Sequence, residues 1–454
     1  MIAELEEALG PGRVLTSPQA LLCYALDATY HVGRPEAVVL PESTAEVAAV
    51  MRIASRHKVP VTPRGAGTGL SGGALPKGGI VLSLTRMNRI KEIDRKNLIA
   101  VVEPGVITAH LQQAAEAAGL FYPPDPASSQ VSTIGGNIAE NAGGPRCFKY
   151  GVTRDYVLGL EVVLADGRVL RTGGRTVKNV TGYDLTRLMV GSEGTLGVVT
   201  EATLRLVPRP EATQTLMAVF PRLEDAAETN AALVARGVTP ATLEIMDQLS
   251  LRVVENYLHL GLPVEAEAVL VISVDGFREA VQRQADTVAA ICRELGASEV
   301  RIARTPEEAQ ELWRARRSIS TAITQVKPTK IGEDVAVPPS RIPELIRRIQ
   351  YLREKTGLTM AIYGHIGDGN IHPNVVTDLR DREEMAKVEQ VLEEIARIAL
   401  ELGGTLSGEH GIGTLKAPYL EMEVGETGID VMRRIKRALD PDGILNPGKM
   451  RLDE

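Results

Sequence analysis

Pro63-Arg-Gly-Ala-Gly-Thr-Gly-Leu-Ser-Gly-Gly73 places glycine at positions 65, 67, 69, 72 and 73, between two short apolar runs. Glycine loses more conformational freedom on ordering than any other residue, so such a density makes sense where φ turns positive or where bare N–H groups meet an anion. Phosphate is the usual anion. A flexible linker is the competing reading, but linkers seldom open on Arg-Gly between strand-like runs. Gly67-Thr-Gly-Leu-Ser-Gly72 also matches the Gly-x-Gly-x-x-Gly dinucleotide fingerprint, which has to open a helix. Here Ala74-Leu-Pro-Lys-Gly-Gly79 leads into another apolar run, Ile80 to Leu84. Loop amides between two strands are therefore expected to hold the phosphates, and the nicotinamide reading weakens.

Working outward, Ser43 or Thr44 can cap a helix in which Val47, Val50, Met51 and Ala54 recur at helical spacing, and a strand at Val59–Thr62 delivers the chain into the loop. Downstream, Val101–Val106 reads as a strand ending in a turn, with a helix from Thr108 to Ala118. Tyr122-Pro-Pro-Asp-Pro126, Ser128-Ser129 and Thr133-Ile-Gly-Gly-Asn-Ile-Ala-Glu-Asn-Ala-Gly-Gly144 form a second wall of small residues rich in backbone, hydroxyl and amide donors. Such a wall suits a flat polar ring system; tight turns of purely structural use are the alternative. Leu160–Leu164 and Val169–Thr172 flank Ala-Asp-Gly167 as a hairpin. Gly191-Ser-Glu-Gly-Thr-Leu-Gly197 turns into a further strand, and Pro208 and Pro210 mark a boundary.

The 454 residues exceed one comfortable hydrophobic core, so two domains are expected. A net charge of −7 argues against nucleic acid or an anionic membrane as main partner, and an acidic substrate then needs a local basic pocket. Cys23, Cys147 and Cys292 are far apart, which excludes a self-contained iron–sulfur cluster or zinc ribbon and fits a reducing compartment. The acidic start lacks the features of a signal peptide, and no run of about 18 apolar residues occurs. A soluble, cytoplasmic protein without a membrane span is expected.

Beyond residue 210, helices alternate with strands, giving an α+β region with a helix-backed antiparallel sheet as the expected form. Three of the seven histidines lie there in glycine-flanked segments, Gly364-His-Ile-Gly-Asp-Gly-Asn-Ile-His372 and Ser407-Gly-Glu-His-Gly411. Strands flanking the first turn could bring His365 and His372 to one point, with Glu409 adding a carboxylate. Two neutral imidazoles and one carboxylate describe a catalytic divalent-metal site. Histidines that merely bond turns or an acidic substrate are the alternative. His410 is then left as a general base. Trp313-Arg-Ala-Arg-Arg317 puts Arg316 on the tryptophan's helix face, as a partly buried guanidinium for a bidentate carboxylate clamp. A solvated basic face is the plainer reading.

Taken together, Arg64–Gly73, Thr133–Ala139, Gly191–Gly197, Gly364–His372 and Gly408-Glu-His-Gly-Ile-Gly413 closely resemble the FAD-linked D-2-hydroxyacid dehydrogenases of the vanillyl-alcohol-oxidase superfamily. Glycolate oxidase D subunits and D-lactate dehydrogenases are the nearest in appearance. The resemblance spans nearly the whole chain. It implies a two-subdomain FAD-binding domain over residues 1–209, a cap domain carrying substrate and metal over 210–420, and a segment 421–454 returning to the FAD domain.

By motif, the resemblance implies that Pro63, Arg64, Gly65, Ala66, Gly67, Thr68, Gly69, Ser71 and Gly72 bind the FAD pyrophosphate. It places Pro124, Ser128, Thr133, Gly135, Gly136, Asn137, Ala139 and Asn141 along the flavin and its ribityl chain. Gly194, Gly197 and Val199 fall on the adenine side and Asn446 at the ring. His365, His372 and Glu409 match the ligands of a divalent metal, zinc or manganese, His410 the catalytic base and Arg316 the carboxylate arginine. Ser320 stands where some relatives carry a substrate-side threonine. A substrate lysine just before Asp334-Val-Ala-Val-Pro338 is not matched, since Gly332 and Glu333 occupy that approach; Lys330 is the nearest candidate, which argues against a dicarboxylate substrate.

Covalent relatives have a histidine where this chain has Thr68, so noncovalent FAD is implied. The expected reaction is hydride transfer from a small D-2-hydroxy acid to flavin. The expected electron acceptors are an iron–sulfur subunit with a second flavin-type subunit, an electron-transfer flavoprotein or a quinone pathway, and a homodimer is one option for self-association. The competing readings are an oxygen-using oxidase and an FAD-binding relay or scaffold subunit without substrate chemistry.

Overall fold

A computed structural model describes residues 1–453. The chain forms two compact units. The first combines Met1–Gly143, Gly151–Arg209 and the residues from Glu409 on; the second combines Gly144–Tyr150 with Pro210–Gly408.

In the first unit, Ala37–Val39, Ile80–Ser83 and Val61–Arg64 lie parallel in that order, with Val14–Leu15 antiparallel at the edge. Adjacent parallel strands need a crossover, usually a helix. Between Val61–Arg64 and Ile80–Ser83 the glycine loop alone makes it, so the expectation of a loop between strands holds and no helix follows it. The expected helix is Thr44–His57. Ser43 caps it by accepting from the Glu46 N–H at 3.3 Å, and Lys58 ends it at φ 51°. Its buried Val47, Val50, Met51 and Ala54 pack with Leu5, Leu9, Ile80, Leu82, Val163 and Val198.

A second, wholly antiparallel sheet runs Ile90–Asp94, Ile99–Val102, Val198–Arg205, Val157–Val163, Val169–Gly173. The segment after Thr133, read from its glycines as a wall of donors or tight turns, contains a short helix, Ile134–Glu140. Thr133 caps it at the Gly136 N–H, and Asn141 closes it in the left-handed conformation at φ 55°. The cap and the intervening Asn-Ile-Ala outweigh the cost of two glycines in its first turn.

The late segment also belongs to this unit. The Val61 N–H donates to Ile444 O at 2.7 Å and the Asn446 N–H donates to Val61 O at 2.8 Å, so these residues extend the edge strand.

The second unit is built on an eight-stranded antiparallel sheet. Its path is Glu299–Ile302, Ala212–Phe220, Ala268–Gly276, Thr242–Asp247, Met360–His365, Asn370–Thr377, Thr329–Gly332, with Val335–Ala336 also pairing to Asn370–Thr377. Helices Leu223–Ala235, Arg278–Glu294, Ile342–Thr356 and Arg382–Glu401 cover one face, against Leu243, Ile245, Met360, Ile362, Ile371 and Val375. Helices Gln248–Leu258 and Pro306–Ala322 lie on the other, against Met246, Ala361, Tyr363 and Val376. The helix-backed antiparallel sheet expected from the alternation is present. Gly144–Tyr150 joins this unit because Lys149 Nζ donates to Asp275 O and Tyr150 OH to the Asp275 carboxylate, each at 2.7 Å.

Candidate functional site

Side chains alternate across a strand, and on the second unit's sheet that alternation sorts core from chemistry. Glu244, Tyr363, His365, Asn370, His372, Asn374 and Lys330 all share the face that carries helix Pro306–Ala322. The two histidines come from neighbouring strands, with Tyr363 paired to His372 and His365 to Asn370. The hairpin between them requires Gly369, at φ +88°, where a Cβ would stand 2.0 Å from Val337 O. The imidazoles meet edge on, centroids 5.1 Å apart and planes at 87°.

His365 Nδ1 lies 2.5 Å from Oε1 of Glu244, whose carboxylate is fully buried. An anionic partner there puts the ring proton on Nδ1 and makes Nε2 the donor atom for a metal. Glu244 also forms an ion pair with Arg316, Oε2 to Nη2 2.7 Å. Burial pushes the Glu244 carboxyl upward, but His365 and Arg316 outweigh it and hold the group below its ordinary range. Arg316 lies over Tyr363, with Cζ 4.9 Å from the ring centroid, and its buried Nε has no hydrogen-bond partner. Ser320 follows one turn along and accepts from Lys330 Nζ at 2.7 Å. Arg316, Ser320, Lys330, His365 and His372 thus gather in one unit.

Around His372 the polar groups are interlocked. Its Nδ1 is 3.7 Å from Oδ1 of fully buried Asp334, which also accepts from Asn370 Nδ2 and Ser407 Oγ, each at 2.7 Å. The Gly408 N–H donates to Asp334 O at 3.2 Å, and Glu409 is the next residue. Glu409 and His410 begin the last segment of the first unit, with His410 Nε2 3.8 Å from Glu409 Oε1.

The first unit brings its four motifs together. A Cβ on Gly65 would stand 2.2 Å from Thr133 Oγ1, and one on Gly194 would stand 3.2 Å from Pro63 Cγ. Asn446 Nδ2 donates to Gly73 O at 2.9 Å and to Glu193 O at 2.6 Å. Gly67 has φ +71°, and a Cβ there would meet the Arg64 guanidinium at 2.1 Å. Arg64 is buried with Nη1 unpartnered; burial draws its pKa down, while nearby Asp27 and Tyr24 oppose that. A buried cation among bare glycines fits a diphosphate. Thr133, Gly135, Gly136, Ala139 and Asn141 lie on or cap the helix Ile134–Glu140. The Asn137 side chain is engaged with Thr108 Oγ1 at 2.7 Å, and Pro124 O accepts from Gln112 Nε2 at 2.9 Å. Gly197 lies against Val162, and Val199 sits in the strand Val198–Arg205.

Residues 209–450 match the family described as FAD linked oxidases, C-terminal domain, and residues 35–173 match the FAD binding domain. This chain is an FAD-linked oxidase by family. Relatives of this FAD-linked oxidase include a protein named glycolate oxidase subunit GlcD from Bacillus subtilis, 51% identical over 98% of this chain and 96% of its own. Another is the GlcD of Escherichia coli K12, 38% identical over 97% of this chain and 88% of its own. A D-lactate dehydrogenase of Archaeoglobus fulgidus is 40% identical over 94% of this chain and 95% of its own. Among solved structures, p-cresol methylhydroxylase superposes with TM-score 0.82 at 20% identity, covering 99% of this chain and 96% of that one. A 4-ethylphenol oxidase from Gulosibacter chungangensis gives 0.80 at 22%, covering 99% and 96%. The fold of this FAD-linked oxidase is therefore the vanillyl-alcohol-oxidase fold, and the chain is an FAD-linked oxidoreductase. Among its described residues, no helix is long and apolar enough to cross a membrane.

Sequence reasoning passes over three carboxylates of this FAD-linked oxidase: Glu244, Asp334 and Glu193. Glu244 leaves no signal beyond an acidic residue flanked by apolar ones in Leu243–Met246. Glu193 lies inside the Gly191–Gly197 motif, buried at φ 52°, and accepts from the Ile412 N–H at 2.8 Å and the Gly413 N–H at 2.7 Å.

Proposed function

We propose that this chain oxidises a small D-2-hydroxy acid, glycolate or D-lactate, to the 2-oxo acid, with noncovalent FAD and a divalent metal, zinc or manganese. The observation that carries the reading is the gathering of His365, His372 and Arg316 on one sheet face, with a buried Arg316 Nε that has no hydrogen-bond partner. A buried arginine Nε without a protein acceptor suits a substrate carboxylate. The names of the relatives, glycolate oxidase subunit and D-lactate dehydrogenase, point the same way.

In this reading Arg316 holds the substrate carboxylate, with Ser320 and Lys330 beside the substituent on C2. His365 and His372 offer imidazole nitrogens to the metal, and Glu409 adds the carboxylate of a mixed nitrogen and oxygen set typical of catalytic divalent sites. Such a metal supplies Lewis acidity that lowers the hydroxyl pKa toward neutral. His410 takes the hydroxyl proton. FAD supplies the two-electron acceptor that no side chain can. Arg64 and the amides of Gly65–Gly72 hold the diphosphate, and Thr68, unlike histidine, offers no ring nitrogen for a covalent flavin bond.

Two relatives are named as subunits. Electrons then pass to an iron–sulfur or second flavin-type subunit, or to an electron-transfer flavoprotein, in the cytoplasm.

The test is anaerobic flavin bleaching against a panel of D- and L-2-hydroxy acids, with and without a chelator. Glycolate or D-lactate should bleach the flavin and the chelator should slow it. His410→Ala should keep FAD yet abolish bleaching. Bleaching by L-acids alone, or at full rate in the His410→Ala protein, would overturn the reading.

A further inference from the structure

Glu244 is a buried charge with two partners that the chain could have kept apart. It stands opposite His365 in register on the next strand, its Oε1 2.5 Å from Nδ1, and its Oε2 is 2.7 Å from Arg316 Nη2 on the overlying helix. Residues 244, 316 and 365 come from a strand, a helix and another strand, so only the folded unit assembles them. Burying a carboxylate costs several kcal/mol unless it is well paired. Nothing about packing demands it here, since Leu243, Ile245 and Met246 fill the same strand with apolar side chains.

We propose that Glu244 is a positioning residue that couples metal binding at His365 to carboxylate binding at Arg316. The proposal rests on the roles given to those two residues above. Toward His365, the carboxylate fixes the Nδ1–H tautomer and raises the basicity of Nε2, the atom a metal would take. Toward Arg316, it engages one terminal nitrogen while Tyr363 supports the guanidinium face, so the unpartnered Nε keeps its direction without being consumed. The two oxygens are rigidly joined through one carbon. A displacement of the imidazole is therefore passed to the guanidinium, and the metal-free site presents a worse-placed arginine to the substrate.

The decisive variant is Glu244→Gln, which keeps the shape, removes the charge and presents an amide N–H₂ to one of two cationic or donor partners. Purified holoprotein would be assayed for FAD content, melting temperature, affinity for added Mn²⁺ and Zn²⁺ by competition with a fluorescent chelator, and KM and kcat with glycolate and D-lactate. The expected result is unchanged FAD content, a metal affinity lowered about 10-fold or more, and a KM raised by a similar factor. Arg316→Met should raise KM and, because coupling between two sites is reciprocal, also shift metal affinity, by less than Glu244→Gln does, and in the double variant the two KM effects should fall short of multiplying.

A Glu244→Gln protein that shifts only metal affinity, only KM, or neither would overturn the coupling, as would multiplicative KM effects. A wild-type protein that takes up neither metal would overturn the metal reading itself and the coupling with it. Should Glu244→Gln fail to fold, Glu244→Asp supplies the same measurements, since the shorter carboxylate cannot reach both partners at once.

Discussion

The carboxylate of Glu193 accepts the backbone N–H of Gly413 at 2.7 Å, with Ile412 bound to its other oxygen at 2.8 Å. Those two amides follow His410 by two and three residues, so the carboxylate fixes where the histidine loop sits. Replacing Glu193 by Ala leaves donors without a partner, at about 1–3 kcal/mol for each that stays buried. The expected outcome is a lower melting temperature at fixed FAD concentration together with slower substrate-driven flavin reduction.

Gly65 tolerates no side chain, because a Cβ would come 2.2 Å from Thr133 Oγ1, the hydroxyl that caps Ile134–Glu140. Gly65→Ala must displace either the glycine loop or the cap. Protein purified from this variant should contain little FAD, read from the visible absorption per chain. The cost of overpacking should be about 1–3 kcal/mol in denaturant unfolding.

Glu140 is held well above the ordinary carboxyl value of 4.5, chiefly by burial and then by the neighbouring charge of Glu193. A raised native pKa binds a proton that the unfolded chain releases. The stability it contributes is therefore full below about the unfolded value and is lost as pH rises through the native one. The melting temperature should fall with rising pH above 4.5, and Glu140→Gln should flatten that slope and be the more stable protein at neutral pH.

In the hairpin that presents the two imidazoles, Gly369→Ala would need φ +88° and would drive its Cβ to within 2.0 Å of Val337 O. Backbone strain of this kind costs about 1–3 kcal/mol. His365 and His372 should lose their common geometry, seen as weaker uptake of added divalent metal with FAD content intact.

Cys292 is buried and its thiol is pushed up to about 12, whereas Cys23 is exposed. Since the thiolate is the reactive form, alkylation at pH 8 should label Cys23 and spare Cys292 until denaturant is added, as peptide mapping would show.

What was legible in the chain followed from local rules. The glycine loop between strands, the Ser43 cap, the Val157–Gly173 hairpin and the helices with 3.6-residue apolar periodicity need no distant partner to be read. The helix at Ile134–Glu140 was masked because its glycines speak for turns, and its cap is visible only once Thr133 is seen bonding Gly136. The strand Ala212–Phe220 shows no alternation, because its half Leu216–Phe220 is packed by helices on both faces and reads as a short apolar run.

At the site, glycine flanks betray the histidines, whereas Glu244 acquires meaning only from residues 72 and 121 positions later in the chain, Arg316 and His365. A buried charge is recognised by its partners, and pattern does not carry partners across such distances.

The extension of Val61–Arg64 by Ile444–Asn446 has a consequence for the ribosome. The second unit is complete in sequence once Gly408 has been made, but the first still lacks the strand-like segment that borders its glycine loop. During synthesis the inserted unit can reach its folded form while the surrounding one waits, half-built, for residues that emerge last. Flavin capture is then a late event of biogenesis, and a nascent chain arrested before Ile444 should hold a folded sheet with its histidine hairpin yet remain colourless.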